Sequence, residues 1–273
     1  MKSYLGIDPG WSATKKTTGL CRIEIRNGAN ELKFDSVGND PLSRVHALSS
    51  LVIDGVSGIG IDGPITNGFE LTKRLRPVDS MLSKGKFQSR GKAGAINGGA
   101  GPKLHAEATW WAIEAASLAI GTAPDWAPSE KLVVESFPSA FLSVMHPDAK
   151  FPINGRPWST TLLARPPVRR ALDSLVNDVL GGGEIHWDTI DNCSPHEADA
   201  FLCALSAALV DAGDFIAVGD HILGFMVLPP VSLFGGNEFG DPWALNEIST
   251  NLSAVRSDPR FRDLSPLIIH GQN

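Results

Sequence analysis

At 273 residues and a net charge of −6, the chain is long enough to bury a full core and is not coated in positive charge for indiscriminate nucleic-acid binding. Its 42% hydrophobic and 20% charged residues suit a folded soluble protein, and no apolar run reaches the roughly eighteen residues needed to span a bilayer. The amino terminus enters a polar-flanked strand directly, without a signal-like apolar core, so a cytoplasmic location without membrane association is expected. No compositional break divides residues 1–273, which predicts a single domain. Cys21, Cys193 and Cys203 lack paired metal-ligand spacing and are expected to be buried free thiols.

Ser3 to Asp8 is short, apolar and stopped by Pro9-Gly10, as a buried strand ending in a turn would be. Alternation from Leu20 to Ile25, then Asn27-Gly28, then alternation from Glu31 to Asp35 predicts a hairpin that completes a three-stranded antiparallel meander. Asn39-Asp40-Pro41 signals a helix whose apolar face is Leu42, Val45, Leu48 and Leu51. Ser57 to Asp62 reads as a strand reached by a crossover, and hence parallel to the first. Residues 67–128 read as a helical and glycine-rich insertion with a helix from about Leu104 to Ile120. A strand follows at Lys131 to Glu135, then helices near Pro167 to Leu180 and from Ser194 to Asp211. Residues 213–273 offer one strand, His221 to Leu228, in an otherwise loop-rich extension.

Two strand endings echo each other: Gly6-Ile7-Asp8-Pro9-Gly10 and Gly60-Ile61-Asp62-Gly63-Pro64. If the strands are neighbours, the two aspartates emerge about 4.8 Å apart, a spacing that matches carboxylates bridging ions about 3.5 to 4 Å apart. The rim outside the carboxyl ends of strands is where α/β sheets gather ligands, and Glu135 is expected on the same rim. Each aspartate read alone equally suits a cap on its own turn, as aspartate often provides. In the helix that begins Ser194-Pro195-His196-Glu197, Ser194 and Glu197 form a capping box and Pro195 takes the first position. Asp199 borders the apolar row of that helix, so it requires a partner or a metal ion, and His196 lies three residues earlier on the same face.

From Ser80 to Ala106 there is no acidic residue, and Lys84, Lys86, Arg90, Lys92 and Lys103 are interleaved with glycines. This strip is either a grip for a phosphate backbone or a solvated loop. Arg165, Arg169 and Arg170 offer a second cationic face, and Trp110-Trp111 reads as helix packing in preference to base stacking.

The ordered set Gly6-Ile7-Asp8-Pro9-Gly10, Asp62, Glu135-Ser136-Phe137-Pro138 and His196-x-x-Asp199-Ala200 resembles RuvC-type members of the ribonuclease-H-like superfamily. With Arg74-Leu75-Arg76 and Leu104-His105-x-x-Ala108-Thr109, the chain is also similar to the domain-of-unknown-function 429 family, described as nucleases of that fold. The resemblance implies an α/β fold with a mixed five-stranded sheet of order 3-2-1-4-5 and helices on both faces. It also implies a Mg²⁺ or Mn²⁺ site at Asp8, Asp62 and Asp199, with His196 where a ligand is found and Glu135 where one usually is not. The implied activity is metal-dependent hydrolysis of nucleic-acid phosphodiesters. Two rivals stand beside it. One is an actin-like or sugar-kinase-like phosphotransferase, in which the loop Gly10 to Gly19, with Ser12, Thr14, Lys15, Thr17 and Thr18, would cradle phosphate. The other is a catalytically silent nucleic-acid or nucleotide-binding module of the same fold.

Overall fold

The computed structural model describes residues 1–12, 15–66, 75–89, 99–145, 158–181, 183–234 and 243–271. β1 (Lys2–Asp8), β2 (Thr18–Arg26) and β3 (Ala29–Val37) form the expected antiparallel meander, with Tyr4 opposite Ile23 and Asp8 opposite Gly19. Asn27 and Gly28 close the hairpin at φ 52° and 78°, the left-handed pair that a two-residue turn requires. Helix α1 (Pro41–Leu51) starts where Asp40 accepts the Ser43 amide at 2.8 Å, and it leads to β4 (Gly58–Asp62). β4 runs parallel to β1, with Gly6 beside Gly60 and Ile7 beside Ile61.

Between β4 and β5 (Val133–Ser136) lie the short helix α2 (Pro77–Met81) and the longer α3 (Gly101–Ala116). β5 is parallel to β4 and sets Ser136 beside Asp62. Helices α4 (Pro138–Met145), α5 (Trp158–Leu163), α6 (Pro166–Asp178) and α7 (Trp187–Asp191) then lead to α8 (Pro195–Ala212). The carboxyl-terminal part holds β6 (Ile216–Asp220), β7 (Gly224–Leu228), α9 (Trp243–Arg256) and β8 (Leu267–His270).

The sheet therefore has eight strands among the described residues, in the order β3-β2-β1-β4-β5-β7-β6-β8, and five is too few. Nor is 213–273 loop-rich: β7 pairs in parallel with β5, β6 with β7 and β8 with β6 antiparallel, so the extension continues the same sheet. The expected strand at His221 begins only at Gly224, because the buried Asp220 carboxylate accepts the Ile222 and Leu223 amides and turns the chain there. Cys21 and Cys203 are buried free thiols, whereas Cys193 is partly exposed. Among the described residues no helix is long and apolar enough to cross a membrane.

Each face of the sheet carries its own apolar layer. Leu5, Ile7, Leu20, Ile59 and Ile61 meet α1 and α3 through Leu48, Ala108 and Trp111. Tyr4, Cys21, Ile23 and Val134 face the other way, toward the alanine-rich side of α8. Helix α8 lies unusually close to that face. A β-carbon on Gly19 would stand 2.0 Å from the His196 carbonyl oxygen, one on Gly6 1.7 Å from that of Ala200, and one on Gly60 1.8 Å from that of Cys203. Ser206 continues the series by meeting Ser136, hydroxyl to hydroxyl at 2.8 Å. The helix thus advances about one strand per turn, crossing β2, β1, β4 and β5 in succession, consistent with a pitch of about 5.4 Å over strands about 4.8 Å apart.

Candidate active site

Side chains alternate along a strand, so Asp8 shares a face with Gly6, and Asp62 with Gly60. The glycines that admit α8 are therefore the residues that aim both aspartates toward it. The helix touches down on Gly19, directly across the β1–β2 ladder from Asp8, which sets His196 beside Asp8 and Asp199 one turn farther along. The capping box fixes that entry: Glu197 donates its amide to Ser194 Oγ at 3.3 Å, and Glu197 Oε2 accepts the Ser194 amide at 2.6 Å. Glu197 is structural, as its spacing implies.

His196 Nδ1 and Asp8 Oδ2 share a hydrogen bond of 2.5 Å, with 45% of the histidine side chain but only 12% of the aspartate exposed. Asp199 Oδ1 accepts a hydrogen bond from the buried hydroxyl of Ser159 on α5. Burial dominates the electrostatics, and the neighbouring carboxylates add to it at Asp62 and Asp199. Burial pushes the Asp62 carboxyl well above the ordinary range, and the charges of Asp8, Asp199 and Glu135 push it further. Asp199 is pushed up to about 8, by burial first and then by Asp8, against the opposing pull of Ser159 and His196. Asp8 is raised by burial in spite of the His196 bond, and His196 is raised chiefly by that same bond. Three carboxylates are thus held together at a cost that either protons or a cation would offset.

Glu135 stands apart from this group. It is in register with Ile61 instead of Asp62, so it projects from the opposite face of the sheet. There Arg76 grips it through two bonds of 2.7 Å, with a third of 2.7 Å to Asp79, and Arg76 is itself only 2% exposed. Burial raises the Glu135 carboxyl and the Arg76 charge opposes the rise. His105 is buried on the same side and bonds the Thr66 carbonyl through Nε2 at 2.9 Å. The expectation that Glu135 shares the rim with the aspartates is corrected by one residue of register.

The basic strip divides among elements. Lys86 donates its amide to Glu247 on α9 at 2.9 Å and sets its ammonium 6.0 Å from the ring centre of the buried Trp243, with Lys84 two residues before it. Lys103 instead occupies the first turn of α3, its ammonium 5.8 Å from the ring centre of Trp11. Arg90 and Lys92 lie outside the described residues, as does Thr14. Lys15 is exposed, and its amide bonds Ser12 Oγ at 3.1 Å. Arg169 pairs with Asp191 and lies over Trp187. Trp110 and Trp111 meet edge to face under Arg44, which makes them packing residues. An apolar hollow of about 160 Å³ is lined by Ile65, Thr109, Ala112 and Val133, and none of the aspartates lines it.

As placed, no three His, Cys, Asp or Glu side chains among the described residues close around a point that could hold a metal ion. The donor chemistry nonetheless fits a hard divalent cation: Asp8, Asp62 and Asp199 supply only oxygen, and all three carboxyls are raised by burial, with mutual repulsion added at Asp62 and Asp199. Ser159 was not foreseeable, because it reaches Asp199 across 40 residues of chain. The spacing of Gly6 and Gly60, two residues before each aspartate, was visible and names the face to which each points. Comparison with family models, with curated proteins and with solved structures gives no match.

Proposed function

We propose that the chain is a ribonuclease-H-like nuclease that hydrolyses nucleic-acid phosphodiesters with Mg²⁺ or Mn²⁺. The observation that carries this reading is the convergence of Asp8, Asp62 and Asp199, from two parallel strand ends and one overlying helix, into a single charge-crowded group. The contiguous run β3-β2-β1-β4-β5 within the sheet supports the fold assignment. A divalent ion held by the three carboxylates would supply charge neutralisation at the scissile phosphate and an acidified water. Of the chain's own groups, Ser159 orients Asp199, and His196, hydrogen-bonded to Asp8 and nearly half exposed, is placed to move a proton at the rim. Of the cations expected to meet phosphate, Lys103, Lys84 and Lys15 are described, and a phosphate contact carries no sequence preference.

A silent binding module is favoured by one observation, that His196 already occupies one oxygen of Asp8. The phosphotransferase reading is weakened, because the Thr18 hydroxyl bonds both the amide and the carbonyl of Gly10 and Thr17 Oγ1 accepts the Ser12 amide, leaving those hydroxyls engaged within the loop. The test is metal-dependent cleavage of a panel of single-stranded, duplex and branched DNA and RNA. Cleavage that disappears in folded Asp8→Asn and Asp199→Asn proteins supports the nuclease. Binding without cleavage under any divalent ion supports the silent module.

A further inference from the structure

The loop after β1 carries a tryptophan, Trp11, that is only half-buried. Trp111, Trp126 and Trp243 are buried against other rings, Trp110 lies edge-on to Trp111, and Trp187 donates its indole N–H to Asp173 at 3.0 Å. Trp11 differs: it is half-buried, and its one aromatic or cationic neighbour among the described residues is the exposed Lys103. It follows Asp8 by three residues, which limits its backbone to about 10 Å from that aspartate. The loop holds it in place, since Gly10 on one side is bonded to Thr18 and Ser12 on the other to Thr17. Lys103 belongs to the Asp62 side of the rim: its neighbour Leu104 packs against the turn at Gly63, 3.3 Å from where a β-carbon would be. The pair therefore joins the loop that leaves β1 to the first turn of α3, which packs on the turn that follows β4.

We propose that Trp11 and Lys103 form a nucleotide platform, the indole stacking an unpaired base while the ammonium neutralises the adjoining phosphate, so that the ligand is single-stranded or locally unpaired nucleic acid. Every base presents a π-face, so such a platform accepts any sequence, whereas a paired base is already stacked on its neighbours. The cation balances a polyanion that the aspartates alone would repel. This inference rests on the nuclease reading for the class of polymer, and it adds which state of that polymer is gripped.

The experiment measures fluorescence-anisotropy binding of a labelled oligo-dT strand, and of a duplex of equal length, to the full chain in EDTA, where no cleavage occurs. Trp11→Ala is expected to weaken single-strand binding about 5- to 100-fold while leaving duplex binding within about twofold. Trp11→Phe retains most of the affinity. Lys103→Gln lowers the salt dependence of log K by about 0.7. Should Trp11→Ala misfold by circular dichroism, Trp11→Leu, which keeps apolar bulk without a π-face, replaces it. Unchanged single-strand binding in the Ala or Leu protein overturns the proposal, as does equal weakening toward strand and duplex, or no binding by the unaltered chain. A protein that never cleaves but shows the Trp11 effect loses the nuclease reading alone. One that cleaves while Trp11→Ala binds normally loses the platform alone.

Discussion

Replacing Gly60 by alanine isolates the contact on which the site depends. Gly60 has an ordinary extended backbone, so alanine meets no conformational penalty there, and the whole cost is steric. Its β-carbon would stand 1.8 Å from the Cys203 carbonyl oxygen and 2.5 Å from the carbonyl carbon, both main-chain atoms of α8 that no side-chain rotation can move. Gly58 provides an internal control on the same strand and face, because there the nearest atom is Leu132 Cδ2, the tip of a flexible side chain, at 2.8 Å. Overpacking costs about 1–3 kcal/mol, and the backbone clash should reach about 3 kcal/mol or more, against about 1 kcal/mol for Gly58→Ala. In thermal unfolding, at about 2–4 °C per kcal/mol for chains of this size, Gly60→Ala should lose about 6–12 °C. Any folded fraction should have α8 displaced and Asp199 with it, and a misplacement of about 1 Å costs on the order of 100-fold in rate. A Gly60→Ala protein as stable and active as Gly58→Ala would refute the reasoning that α8 is seated by main-chain contact.

Three further outcomes follow from the charges. Arg76→Met leaves Glu135 and Asp79 buried without their cation, so urea unfolding should show a loss of about 3–5 kcal/mol. Glu135→Gln, on the face away from the aspartates, should retain nuclease activity in whatever fraction folds, and its complete loss would return Glu135 to the catalytic group. The Asp199 carboxyl is raised in the folded state to about 8 from 3.8, so the folded chain binds more protons than the unfolded one between those values. Its stabilising contribution is accordingly full below about pH 4 and is lost as pH rises through 8. Asp199→Asn should flatten the decline in melting temperature between pH 5 and pH 8 measured without metal. An unchanged slope would mean that burial and Asp8 do not raise the Asp199 carboxyl.

Some of this arrangement is legible in the chain itself. The Gly-Ile-Asp echo located two neighbouring parallel strands because apolar runs stopped by Pro9-Gly10 and Gly63-Pro64 leave few other readings. The capping box located the first residue of α8 for an equally local reason. What was hidden depended on register and distance. Glu135 sits on a strand of four residues whose facing is decided only by pairing with β4, and a shift of one residue reverses it. Leu267–His270 is a short run that becomes a strand only by pairing with Ile216–Asp220, and most of the extension separates the two in sequence. The Arg76–Glu135 pair joins residues 59 apart through a buried face, which no local pattern announces.

Isothermal titration of Mn²⁺ into the unaltered chain and into Asp62→Asn tests the central claim most directly, since Asp62 contributes to the crowded group without the histidine contact of Asp8. The expected result is saturable binding accompanied by proton release, because a cation displaces the protons that the crowded carboxylates retain, with both signals lost or strongly weakened in the variant. Absence of saturable binding at millimolar Mn²⁺, or identical binding by the two proteins, would contradict the assignment of Asp8, Asp62 and Asp199 as one metal site.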